Sequence, residues 1–93
     1  MKNIQKISKL VKNLHSESEV ESFFKELLTE SEIETLSKRW RILELLHNGI
    51  SQRNIAKELQ VSLCKVTRGS KILKNKDSVI TRYLIREDKN GNY

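Results

Sequence analysis

A chain of 93 residues, 37% hydrophobic and 32% charged, has room for one domain around a thin apolar core. No apolar run nears the roughly twenty residues that span a bilayer, no secretory block with a small-residue cleavage site opens the chain, and a lone cysteine, Cys64, forms no intrachain disulfide. The net charge of +6 is lopsided: residues 1–46 carry eight Lys/Arg against eight Asp/Glu, and residues 47–93 carry ten against four. The whole excess thus lies in the second half, as an electrostatic footprint for phosphates.

Proline is absent, glycine is scarce, and β-branched residues do not alternate as in strands, so an all-α chain of about six short helices is expected. Ile4, Ile7, Leu10, Val11 and Leu14 mark a first helix with one apolar stripe. Ser16 or Ser18 caps a second, running through Val20, Phe23, Phe24, Leu27 and Leu28. Next, T-E-S-E from Thr29 or S-E-I-E from Ser31 supplies the hydroxyl and the carboxylate of a capping box. A third helix follows through Ile33, Leu36, Trp40, Leu43 and Leu46, with Trp40 assigned to the core. Asn48 and Gly49 end it, since both tolerate a left-handed backbone.

Ser51 and Ser62 cap the next two helices, and a last helix starts near Asp77 or Ser78 and uses Val79, Ile80, Tyr83 and Leu84. Residues 1–88 are read as one all-helical, dimerising DNA-binding domain, and residues 89–93 as a polar tail. The first helix needs a partner for its stripe. It can fold back on its own chain or cross to a second subunit, and the thin core favours the second.

The stretch QRNIAKELQVSLCKVTRGSK, Gln52 to Lys71, reads as a helix-turn-helix that extends over about residues 52–74. Ile55, Leu59, Val61 and Val66 fall where two short helices need apolar anchors, and Ala56 falls where they approach most closely. Leu63 and the Cys64 thiol can pack against thymine methyls, and Thr67 can bond a base directly or through water. Gln52, Lys57, Lys71 and Lys74 suit phosphates. The plain alternative is a helical hairpin with a solvated charged face, and it is strongest for Lys57 and Lys74. His15 and His47 have no metal-ligand company, and no nucleophile–base pair or phosphate-cradling loop suggests an enzyme.

At Leu36–Arg41 (LSKRWR), Gly49–Ala56 (GISQRNIA) and Val66–Ser70 (VTRGS), the chain resembles the Trp repressor family. The resemblance runs from about Ser18 to Tyr83. It implies an intertwined homodimer that binds double-stranded operator DNA as a repressor, with L-tryptophan or a related small aromatic as co-repressor. General descriptions of helix-turn-helix docking and of water-mediated base contacts were themselves drawn partly from this family.

By the same resemblance, Arg53 reaches a guanine. Arg39 and Arg68 bracket an indole ring, and guanidinium suits both stacking and a two-donor grip on a carboxylate. Thr29 helps bind that carboxylate, and the Leu28 backbone accepts the ligand amine. Ile72 stands where the family places a serine that meets the ammonium, and Lys65 where it places a small threonine. Gly69, in mid-helix, costs about 1 kcal/mol relative to alanine. Either it leaves a gap for a flat ligand or it lets two helices pack closely.

The sequence therefore points to a cytoplasmic, nucleoid-associated repressor with no membrane partner. A ligand-independent helix-turn-helix regulator is one alternative. A basic helical adaptor for protein or RNA is the other.

Overall fold

Side-chain hydroxyls fix where the helices of this chain begin. The computed structural model describes residues 2–89, which form six helices and no strand. These are α1 (Lys2–Lys12), α2 (Glu17–Leu27), α3 (Glu30–His47), α4 (Gln52–Leu59), α5 (Leu63–Lys74) and α6 (Val79–Lys89). The Glu19 N–H donates to Ser16 Oγ (3.1 Å) and the His15 N–H to Glu19 Oε1 (2.6 Å), so Ser16 rather than Ser18 opens α2. A reciprocal capping box opens α3: the Glu32 N–H donates to Thr29 Oγ1 (3.1 Å), and the Thr29 N–H donates to Glu32 Oε1 (2.9 Å). Ser51 accepts from the Asn54 N–H at 3.2 Å, Ser62 from the Lys65 N–H at 3.4 Å and Ser78 from the Thr81 N–H at 3.1 Å. Each satisfies an orphan amide of a helix start.

The chain divides into two compact units, Met1–Thr35 and Leu36–Tyr93. In the first, neither α1 nor α2 buries a single residue. Ile4, Leu10 and Leu27 stay exposed, and Phe23 and Phe24 meet as tilted rings 5.5 Å apart. Lys25 Nζ donates to Glu21 Oε2 at 2.9 Å. This hydrogen bond and its charge hold the Glu21 carboxyl below its ordinary range and raise the Lys25 ammonium above its own. The pair lies in full solvent, where such contacts contribute little to stability.

The core lies in the second unit. Ile42 and Leu45 of α3, Ile55 of α4 and Val66 of α5 form one buried cluster, ringed by Leu46, Ala56, Leu59 and Val61. Ile55 and Val66 have no exposed surface. The turn into α4 is a Schellman motif: Gly49 takes φ +87°, the Ile50 N–H reaches Leu45 O and the Gly49 N–H reaches Leu46 O, both at 3.0 Å. The turn between α4 and α5 has the same need, but Gln60 fills it at φ +55°, with the Val61 N–H on Ala56 O at 3.1 Å. The α5–α6 corner is tied by buried Thr81, whose hydroxyl donates to Ile72 O at 3.0 Å. The far end of α6 is tied to α3 where His47 Nε2 and Asp88 Oδ2 lie 2.6 Å apart.

One expectation fails. Trp40 is 37% exposed rather than in the core. Its ring lies 6.1 Å from that of Tyr83, itself exposed, with Arg86 stacked over Tyr83 at 5.8 Å. Helical spacing put Trp40 on an apolar face correctly, but in this unit that face is covered only in part.

Two substitutions test this fold. Gln60→Gly removes a left-handed penalty of about 1–2 kcal/mol but adds chain entropy, so it should stabilise the protein by roughly 0.5–1 kcal/mol. Ile55→Ala should cost roughly 2–5 kcal/mol. Both are read from urea or thermal unfolding followed by circular dichroism.

Candidate nucleic-acid interface and adjoining cavity

At about 3.6 residues per turn, α5 presents three sectors. Val66, Gly69 and Leu73 face the core, the first two buried and the third half-buried. Leu63, Thr67, Lys71 and Lys74 recur every three or four residues along a second sector. Cys64, Lys65, Arg68 and Ile72 form the third. No acidic residue occurs in α5.

The second sector is the candidate reading edge. Leu63 is 51% exposed, and Lys71 and Lys74 are also exposed; Cys64, exposed as well, stands on the neighbouring third sector. Thr67 is half-buried, and its hydroxyl donates to Gln52 Oε1 at 2.9 Å. That bond joins the start of α4 to the second turn of α5. It also commits the Thr67 proton, so toward a base or a water Thr67 Oγ1 acts as an acceptor, while the Gln52 amide keeps its two N–H donors. Arg53 and Lys57 are exposed and one turn apart on α4, a spacing that puts both on one side of it. All eight residues assigned to DNA from sequence are therefore on α4 and α5 of one unit, six of them exposed and two, Gln52 and Thr67, half-buried.

The third sector borders a cavity of about 320 Å³, lined by Arg39, Ile42 and Leu43 of α3 and by Cys64, Lys65, Arg68, Gly69 and Ile72 of α5. Three ligand-binding candidates, Arg39, Arg68 and Gly69, are thus brought together. Leu28 and Thr29 are not among the lining residues and belong to the first unit. The Thr29 oxygen is already an acceptor in the capping box, which leaves its hydroxyl proton and one lone pair for a further partner.

Gly69 is explained by close packing. A Cβ there would stand 3.1 Å from Ile42 Cγ2 and 3.2 Å from Leu46 Cδ1, so the space above the missing side chain is filled by α3. The cavity opens beside it. Leu43 had been read only as part of the apolar stripe of α3, and Ile42 had been given no role; their place in the cavity wall follows from their three- and four-residue spacing from Arg39, a signal present in the sequence.

An all-helical chain with a capped helix pair, a fully buried anchor on each helix and an acid-free second helix has the architecture of a helix-turn-helix protein. The model of the family described as Trp repressor protein matches residues 2–88. A Trp operon repressor homolog of Vibrio campbellii is 38% identical over 76 residues, covering 81% of this chain and 76% of that protein. A Trp operon repressor homolog of Chlamydia trachomatis serovar L2 is 30% identical over 79 residues, 84% of each chain. No solved structure matches the chain at a comparable level. The chain belongs to the Trp repressor family, and it is a transcriptional repressor of a regulatory, non-enzymatic kind. No helix among the described residues is long and apolar enough to cross a membrane.

The Gly69 packing is open to test. Gly69→Val forces a branched side chain against Ile42 and Leu46 and should lower stability by about 1–3 kcal/mol despite the better helix propensity. An unfolding midpoint equal to or above that of the parent chain would contradict the contact.

Proposed function

We propose that residues 1–88 act as one dimerising DNA-binding domain, a homodimeric repressor that reads a specific duplex operator under control of a small aromatic co-repressor. L-tryptophan or a related compound is the expected ligand. The observation that carries this reading is the acid-free, solvent-facing edge of α5, held by Ile55 and Val66 and flanked by Arg53 and Lys57 of α4. Lysine and arginine on such an edge neutralise phosphates, and a short helix of this kind fits the major groove.

The roles divide by chemistry. Leu63, Cys64 and Thr67 meet base edges, and Arg53 offers the two-donor fork that suits guanine O6 and N7. Gln52, Lys57, Lys71 and Lys74 fix the protein on phosphates. Arg39 and Arg68 hold a flat carboxylate in the cavity beside Gly69. Because the cavity wall and the reading edge are two sectors of the same α5 helix, a ligand there can bias the position of the edge. The names of the relatives, Trp operon repressor homologs, favour tryptophan chemistry for it.

The dimer has a separate motive. Two successive helices with strong apolar stripes bury no residue fully within their own unit, and Trp40, Val79 and Tyr83 are exposed in the other. A second copy supplies the missing apolar surface in a symmetric arrangement.

Sedimentation should give about twice the 10.9 kDa chain mass at micromolar concentration. Fluorescence anisotropy on a duplex selected from genomic DNA separates the residue roles. Arg53→Ala should weaken that duplex by roughly 1–3 kcal/mol, about 5- to 150-fold, and an unrelated duplex far less. Lys57→Ala should weaken both alike and reduce the salt slope by about one. Arg39→Ala should keep basal DNA binding and lose the response to ligand. A 10.9 kDa monomer that binds RNA and unrelated duplexes equally well would instead favour the helical adaptor.

A further inference from the structure

We infer that Thr67 is a positioning residue for Gln52: its hydroxyl proton holds the Gln52 carboxamide ready for a DNA phosphate before a duplex arrives. The inference rests on the reading of α4 and α5 as the DNA-binding head and adds how one of its polar contacts is made.

The two residues come from different helices. Gln52 opens α4, directly after the Ser51 cap, and Thr67 stands in the second turn of α5. The Thr67 hydroxyl donates to Gln52 Oε1 at 2.9 Å, and both residues are half-buried. A hydroxyl has one proton, so this bond uses all of the donor capacity of Thr67. A carboxamide is planar, with its oxygen and its nitrogen on opposite arms. Fixing Oε1 against Thr67 therefore turns the Nε2 arm, with its two N–H donors, away from Thr67. Those donors stay unspent: Gln52 Nε2 has no partner among the described residues, yet it is not sealed from solvent. The first turn of α4 carries no acid and α5 carries none at all, so an anion approaching Nε2 meets no like charge from either.

The lysines assigned to phosphates are held differently. Lys57, Lys71 and Lys74 are exposed and make no ion pair among the described residues. Each gives up side-chain freedom when it binds, whereas Gln52 has given up much of its own on folding. A glutamine side chain is rich in rotamers, so ordering it in advance strengthens binding several-fold. A lone pair of Thr67 Oγ1 stays open to a base, but the larger part of what the hydroxyl contributes runs through Gln52.

The test is a double-mutant cycle read by fluorescence anisotropy, with L-tryptophan present and folding checked by circular dichroism. It uses the duplex selected from genomic DNA and an unrelated duplex. Thr67→Val should weaken both duplexes roughly three- to tenfold, because a phosphate contact is loosened on either. In the Gln52→Met background, where no amide remains to be held, the same change should cost less than about twofold. Thr67→Ser, which keeps the hydroxyl, should stay within about twofold of the parent chain. In the free parent chain, nitrogen relaxation should show the Gln52 side-chain amide more ordered than that of exposed Gln60, and Thr67→Val should remove the difference. No loss in the parent background, an equal loss in both backgrounds, or a loss on the selected duplex alone overturns the inference while the DNA-reading head stands. A Gln52 amide as mobile as that of Gln60 overturns it too. If the parent chain binds the two duplexes equally, the DNA-reading proposal itself fails, and the inference falls with it.

Discussion

The fully buried pair Ile55 and Val66 is the contact on which the reading head depends. One side chain comes from α4 and the other from α5, and Ile42 and Leu45 of α3 close the cluster around them. Because both anchors are β-branched, few rotamers are open to them, and the helices they join have little freedom to slide. Small residues complete the arrangement. Ala56 lies at the edge of the cluster, and Gly69 lets α3 come close enough that no Cβ would fit without movement of Ile42 and Leu46. What results is a short helix with one sector locked inward. The remaining sectors are fixed in direction with it, one toward solvent and one along the cavity.

That rigidity is local. Six hydrophobic side chains are buried among the described residues, and all six belong to the second unit. The first unit has helices that are well started, by Ser16 and by the Thr29–Glu32 box, yet bury no residue of α1 or α2. Good capping contributes about a kilocalorie per mole per helix and cannot replace a core. Apolar surface held out in this way is the physical basis for assigning a second copy of the chain to it.

Local features were legible from sequence, and features that join distant residues were not. The helix starts at Ser51 and Ser62 were readable because a cap involves residues three apart, and those at Thr29 and Ser78 were each one of two candidates that the structure decides. The anchors Ile55, Leu59, Val61 and Val66 were readable because a helix-turn-helix fixes their spacing. The bond from Thr67 to Gln52 spans 15 residues, and no pattern announces it. Trp40 was misassigned because periodicity reports a face and says nothing about whether another element covers it. Gly69 was left between two readings, and only the side chains of α3 decide for close packing. Leu43 was read as part of an apolar stripe and Ile42 was passed over, yet both are buried and form one wall of the cavity. A residue can do both when it stands at the edge of a thin core.

The central claim is that a small cationic head, fixed by two buried anchors, distinguishes one DNA sequence from another. Competition binding tests it most directly: a duplex selected from genomic fragments is challenged at near-physiological salt with a scrambled duplex of equal length and with double-stranded RNA. The account predicts a preference of about 10³ or more for the selected duplex. Equal affinity for all three, with L-tryptophan supplied, would contradict it.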